Sequence, residues 1–212
     1  SSSGLWQALM ALVLLVIFFT VFMQQGNPFT GLIHPVDSSV FSCAAGPCVK
    51  TRDCPEDHFS FYIQSGAANV VAPKICIQNK LYSLLNNAGV GINVVILNAK
   101  TGEVVKTAHF DMYSGDVNPL IKLLKSVEKG SAVLMASYDE PSSKLNEDAK
   151  KLIAELGSSA VHLLGFRDNW VFVGGKAAAV KSKFEKNDHA NNKYENWPEL
   201  IDLEGCIPKY ME

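Results

Sequence analysis

The 212-residue chain has 48% hydrophobic and 19% charged side chains, and a formal charge of −2 from 19 basic and 21 acidic residues. No basic run offers the clustered lysine and arginine that a phosphate backbone requires, which argues against nucleic acid as a partner. The apolar content equally excludes a disordered body.

All of the charge begins at Asp37. Ahead of it, Leu5 to Met23 reads LWQALMALVLLVIFFTVFM, with only Gln7 and Thr20 plainly polar. As a helix rising about 1.5 Å per residue, this run spans roughly 28 Å, close to the hydrocarbon thickness of a bilayer. Residues 5–23 are read as a signal peptide or a signal anchor, and either delivers the remainder to the secretory pathway. Thr20 to Met23 holds no small-x-small cleavage site, which tilts the reading toward an anchor. A membrane is then expected only through this segment, if it is not cleaved.

Residues 24 to 53 carry the loop signals QQGNPFTG and AAGPC and no periodicity, so they read as a stem, with the domain proper starting near Cys54. Phe59 to Ile63 is a first strand and Asn69 to Gln78 a second, interrupted by Pro73. Gly91 to Asn98 (GINVVILN) is a strong strand, and Glu103 to Phe110 returns as its hairpin partner after the turn at residues 98–102. A helix opens at Gly115-Asp116, with Asp116 as its cap and Pro119 in its first turn. Leu120, Ile121, Leu123, Leu124 and Val127 form its apolar face, and Gly130 stops it. Ser131 to Tyr138 (SAVLMASY) is a continuous apolar strand of the buried kind. A second helix with Leu145, Ala149, Leu152, Ile153 and Leu156 on one face runs to Leu156, capped by Gly157. Asn169 to Gly175 (NWVFVGG) is a further strand. A polar tail then returns through Trp197 and Leu200 to Cys206. Hairpin, helix, strand, helix, strand reads as a mixed α/β domain, not a helical bundle.

The five cysteines are Cys43, Cys48, Cys54, Cys76 and Cys206, and no pair has C-x-x-C spacing. Neither a metal nor another cofactor is therefore expected. Four cysteines can pair in three ways, and spacing does not choose among them. A link from the N-terminal cluster to Cys206 would close a loop of about 150 residues, worth roughly 4 to 5 kcal/mol. The fifth is free or available for intermolecular pairing. No Asn-x-Ser/Thr sequon occurs, so no N-glycan is expected.

No catalytic constellation emerges, and the chain is expected to be non-enzymatic. His58 and His109 flank predicted strands, and no nucleophile sits in a G-x-S-x-G elbow. The most informative polar residues lie at strand ends. Asp139 follows SAVLMASY, and Arg167 precedes the strand that begins Asn169-Trp170. Adjacent strands would bring a carboxylate, a guanidinium and an aromatic face together. Sugar hydroxyls can accept from Arg167 and donate to Asp139, while a sugar's C–H face packs on Trp170. The plain alternative is an Arg–Asp ion pair that fixes the loops, with Trp170 in the core.

From Cys48 to Pro208 the chain resembles the interleukin-like EMT inducer and pancreatic-derived factor family of secreted proteins. The matching runs include SGAANVV at 65–71, PKIC at 73–76, FDMY at 110–113, LGFRDNWVF at 164–172, WPE at 197–199 and EGCIP at 204–208. The resemblance implies an α+β fold. Residues 48–210 would form a single compact β-β-α domain with antiparallel sheets flanked by short helices. That domain would stand behind a hydrophobic leader at 5–23 and a stem at 24–47. It further implies two disulfides, Cys48 to Cys76 and Cys54 to Cys206, leaving Cys43 as the thiol through which an oligomer could form. The implied role is a secreted, cytokine-like factor acting on a cell-surface receptor or glycan. The same domain type, the GG-type lectin domain, binds carbohydrate through an Arg, an Asp and a second Arg. Asp139 and Arg167 occupy the latter two positions. The first departs from the pattern: the family reads G-R-G-I-N where this chain has Gly89-Val90-Gly91-Ile92-Asn93. A lost guanidinium removes a charge-assisted hydrogen bond worth about 1.5 to 3 kcal/mol. Val173 stands where some relatives carry a cysteine, so no disulfide-linked pair can form there.

Overall fold

The computed structural model describes residues 53–83, 88–176, 184–188, 192–194 and 197–209, together with Cys48 and six positions near the N-terminus. The chain divides into two units, residues 1–43 and 44–212. Of the first, Trp6, Met10, Leu12, Leu15, Val16 and Phe18 are described, all helical and exposed. Among the described residues no helix is long and apolar enough to cross a membrane. The rest of the leader at 5–23, the stem at 24–47 and Cys43 lie outside the described residues.

The second unit is built on two antiparallel sheets. The larger contains β4 (Gly91–Asn98), β5 (Val104–Phe110), β6 (Ser131–Tyr138), β7 (Asn169–Gly175) and β8 (Phe184–Asp188), in the order β5-β4-β6-β7-β8. The smaller contains β1 (His58–Gln64), β2 (Lys74–Ile77), β3 (Lys80–Leu81) and β11 (Asp202–Pro208), in the order β11-β1-β2-β3. A short hairpin of β9 (Asn192–Tyr194) and β10 (Trp197–Pro198) precedes β11. Among the described residues two α-helices, α1 (Asn118–Lys125) and α2 (Glu147–Glu155), and a short 3-10 turn at Val161–Leu163 complete the domain. This is the α+β, β-β-α arrangement that the family resemblance implies, and with every described strand pair antiparallel it is not the α/β domain that the element order alone suggests.

Strand periodicity explains the layering. Along β6, Val133 and Met135 join Leu120, Leu124, Ala149 and Ile153 in a core beneath the helices. The alternate residues Ala132, Leu134 and Ala136 meet Phe61, Ile63, Ile75 and Ile77 of the smaller sheet in a second core. Because both faces of β6 are covered, SAVLMASY reads as an unbroken apolar run although every neighbour is antiparallel. At the start of β4, Gly91 has φ +95°, and a Cβ there would lie 2.0 Å from the Phe110 carbonyl oxygen. Only glycine fits that approach.

Several boundaries differ from expectation. The second strand is confined to Lys74–Ile77, because Ala67 to Val71 closes on itself as a turn through a β-bridge and an Ala67 N–H bond to the Val71 carbonyl. Gln78 and Asn79, with φ of 48° and 65°, make the two-residue turn to β3, the both-positive geometry suited to strand twist. Helix α1 starts at Asn118, and its N-cap position is Val117 rather than Asp116. Asp116, one residue ahead of that position, instead accepts from the Asn118 N–H at 2.9 Å. Asn146 caps α2 by accepting from the Ala149 N–H. In the β4–β5 ladder, Ile96 pairs with Lys106 and Leu97 with Val104, leaving Val105 as a bulge on the edge strand.

Both disulfides have the implied connectivity, Cys48–Cys76 and Cys54–Cys206. The second joins the start of the domain to β11, which pairs with β1 along its length from His58↔Pro208 to Gln64↔Asp202.

Candidate functional site

The candidate residues gather where β6 ends and β7 begins. These strands are antiparallel neighbours, with Ala136 opposite Val171, so the residue after β6 and the residues before β7 emerge at one end of the sheet. Asp139 and Arg167 both have φ of 63° there. Left-handed backbone is unusual for a side chain other than glycine, asparagine or aspartate, and for arginine it costs on the order of 1 kcal/mol. Something around the two loops must hold them.

Glu140 supplies one restraint. It is only 2% exposed, and its carboxylate accepts from the Ser142 N–H (2.9 Å), the Ser142 hydroxyl (2.6 Å) and the Ser143 N–H (2.8 Å). It also accepts, at 3.5 Å, from the backbone N–H of Arg167, linking the two loops directly. Asp168, also buried, accepts from the Gly165 N–H at 2.7 Å and closes the turn ahead of β7.

Around Arg167 the aromatic partners differ from the expected one. Trp170 is fully buried: its backbone N–H donates to Ser137 Oγ (2.8 Å) and its indole N–H to Glu185 (2.9 Å), and its ring stacks on Phe172. It points into the core because inward and outward positions alternate along β7, and it offers no face to a sugar. The ring beside the guanidinium is Trp197, 4.2 Å from its centroid to Arg167 Cζ, with Phe166 at 4.9 Å. Trp197 comes from the β9–β10 hairpin, which the buried Asn169 side chain grips by donating to the Pro198 (3.2 Å) and Glu199 carbonyls. Trp197 and Glu140 are not among the site candidates read from the sequence, and Asn169 is read there only as the start of a strand. Trp197 sits in a polar tail nearly 30 residues from its partner, and only the Trp-Pro pair within it stands out.

Electrostatically the pair is open. Burial pushes the Asp139 carboxyl above the ordinary carboxylate range; the Arg167 charge works against this, and the like charges of Glu140 and Asp111 reinforce it. Among the described residues no ion pair joins Asp139 to Arg167. A guanidinium stacked on aromatic rings keeps its N–H donors in the ring plane, directed outward. The arrangement can therefore offer an acceptor and a fork of donors to one polyhydroxylated ligand. The register that pairs Gly91 with Tyr138 brings Val90 level with Asp139. The position that is arginine in the resemblance pattern thus lies at this same end of the sheet.

A family model described as interleukin-like EMT inducer matches residues 90–178. The chain is 57% identical over 166 residues to Protein FAM3C of Danio rerio, covering 76% of this chain and 73% of that protein. The chain belongs to the interleukin-like EMT inducer family. Protein FAM3C of Homo sapiens is 53% identical over 170 residues, covering 78% of this chain and 75% of that protein. Protein FAM3A of Homo sapiens is 47% identical over 208 residues, covering 92% and 90%. The family model spans both strand ends that carry Asp139 and Arg167, and begins at Val90. As a family member the chain is a cytokine-like protein, and its two disulfides suit an oxidising compartment.

Proposed function

We propose that this is a secreted, non-enzymatic, cytokine-like factor whose Asp139–Arg167 surface recognises carbohydrate on the cell exterior. The observation that carries the reading is the pair of left-handed residues at adjacent strand ends, each charged, held by buried Glu140 and not joined to one another. Strained backbone that the surrounding structure maintains at a solvent-facing site is a mark of function. Hydroxyls would donate to Asp139 and accept from Arg167, and Phe166, 57% exposed, supplies an apolar surface beside them.

Val90 makes the proposal unusually testable. Without a guanidinium at that position the surface has one cation rather than two, so affinity for a single sugar is expected to be low. Glycan-array screening of the wild-type protein, followed by calorimetry on the best ligand, should show weak binding that Arg167→Ala abolishes. Val90→Arg should tighten binding by roughly ten- to a hundredfold, the equivalent of one charge-assisted hydrogen bond. Circular dichroism checks that both variants remain folded. If neither the wild type nor Val90→Arg binds any glycan, the carbohydrate reading is wrong, and the surface is left for a protein receptor.

A further inference from the structure

Along the larger sheet's border, the edge strand β5 and helix α1 leave a cleft of about 1160 Å³ between them. Helices α1 and α2 cover β4, β6 and β7, but the helix-facing side of β5 extends past them. Its floor is apolar, formed by Ile96, Ala108, Phe110, Leu123 and Val127. The rim is cationic: Lys100 from the β4–β5 turn, Lys106 from β5, Lys122 from α1 and Lys129 from the turn before β6, with Lys209 at one end. Among the described residues Glu128 is the sole acid lining it. Lys100, Lys106, Lys122 and Lys129 are exposed, and among the described residues none has an ion-pair partner. The bulge residue Val105 leans into the same opening with 65% of its surface exposed.

A chain with a net charge of −2 has thus gathered unpaired lysines around one apolar trough. Charge complementarity calls for an anion, and the floor narrows its class. A sulfated sugar would engage the rim and leave the apolar floor wet. The trough is at the upper end of the size range of small-ligand sites, and an elongated apolar body with one anionic end would satisfy both surfaces. We propose that this cleft binds a long-chain anionic amphiphile, specifically a fatty-acid carboxylate, with its chain along Ala108, Phe110 and Leu123 and its head among Lys106, Lys122 and Lys129. This site is separate from the Asp139–Arg167 surface and does not depend on it.

Isothermal titration of the full chain with octanoate, decanoate, dodecanoate, dodecanol and a heparin hexasaccharide tests the assignment. Each added methylene should tighten binding by about fourfold, so decanoate and dodecanoate, two methylenes apart, should differ by about fifteenfold. Dodecanol, which lacks the charge, should bind at least about tenfold more weakly than dodecanoate. The double variant Lys106→Glu/Lys122→Glu should weaken dodecanoate by a similar factor. Ala108→Trp, which fills the floor and leaves the lysines in place, should abolish binding. The lysine variant and the chain-length series suffice if Ala108→Trp does not fold. Binding that is unchanged in the variants, as for uptake by the apolar residues 5–23, overturns the proposal. So does tighter binding of heparin than of any carboxylate, or no binding of any amphiphile.

Discussion

Replacing Cys206 with serine should remove about 4 to 5 kcal/mol of stability, more than any other single loss of a covalent link in the domain. The Cys54–Cys206 bond has a sequence separation of 152, against 28 for Cys48–Cys76. In the chain-entropy account the longer loop restricts the unfolded ensemble more, and the shorter is worth about 3 to 4 kcal/mol. Location adds to length. Cys206 lies within β11, whose only ladder partner among the described residues is the neighbouring strand β1. Once the bond is cut, that edge strand is retained by its hydrogen bonds, by Leu203 and Ile207 packed on the smaller sheet's core, and by its contact with β8. Urea denaturation of Cys206→Ser and Cys76→Ser variants, with m-values, would measure both terms. An expanded denatured state should raise m in the Cys206 variant more than in the Cys76 variant. Equal losses from the two variants would show that loop length is not what sets the effect.

Glu185→Ala is expected to cost about 3 kcal/mol through groups it leaves without partners. This single carboxylate on β8 accepts from the Ser158 hydroxyl, the Ser159 N–H and hydroxyl, the Ala160 N–H and the Trp170 indole N–H. Trp170 is fully buried, so its donor has no water to turn to. Burial alone would push the Glu185 carboxyl up. The hydrogen bonds from Ser158, Trp170 and Ser159 outweigh it and hold the group below the usual carboxylate range. A carboxyl lowered in the folded state contributes stability that is complete above its unfolded value, near 4.5. That contribution is lost as pH falls through the folded value. Thermal unfolding between pH 7 and pH 3 should therefore show a decline in the wild type that is smaller in Glu185→Gln. Parallel pH profiles for the two proteins would rule out this carboxylate as a source of the acid sensitivity.

The sequence carried the three central strands of the larger sheet almost residue by residue, since Gly91–Asn98, Ser131–Tyr138 and Asn169–Gly175 appear with the boundaries expected of them. Their apolar runs are long and bounded by turns, which makes local pattern sufficient. β8 and β11 were not legible. Both are mixed in polarity; Phe184–Asp188 is also short, and Asp202–Pro208 is held by a strand far away in the chain, with Gly205 opposite Phe61. The same reason governs the site. Asp139 and Arg167 could be placed together because sheet neighbours put their ends together. Trp170 could not be distinguished from Trp197 as the aromatic partner, since a one-position alternation along β7 decides whether a ring enters the core. The disulfide pairing came from family resemblance alone, and spacing by itself left three connectivities open.

The Val105 bulge has a consequence for how copies of this protein coexist at high concentration. Of the larger sheet's two borders, β8 lies against β11, whereas β5 has its outer border uncovered by any described strand. A straight β5 would present a ready row of amides and carbonyls to the same strand of another copy, the start of a stacked fibril. One inserted residue, followed at once by a lysine, breaks the repeat of that row and places a positive charge where a second copy would bring its own. Crowding then favours separation over growth.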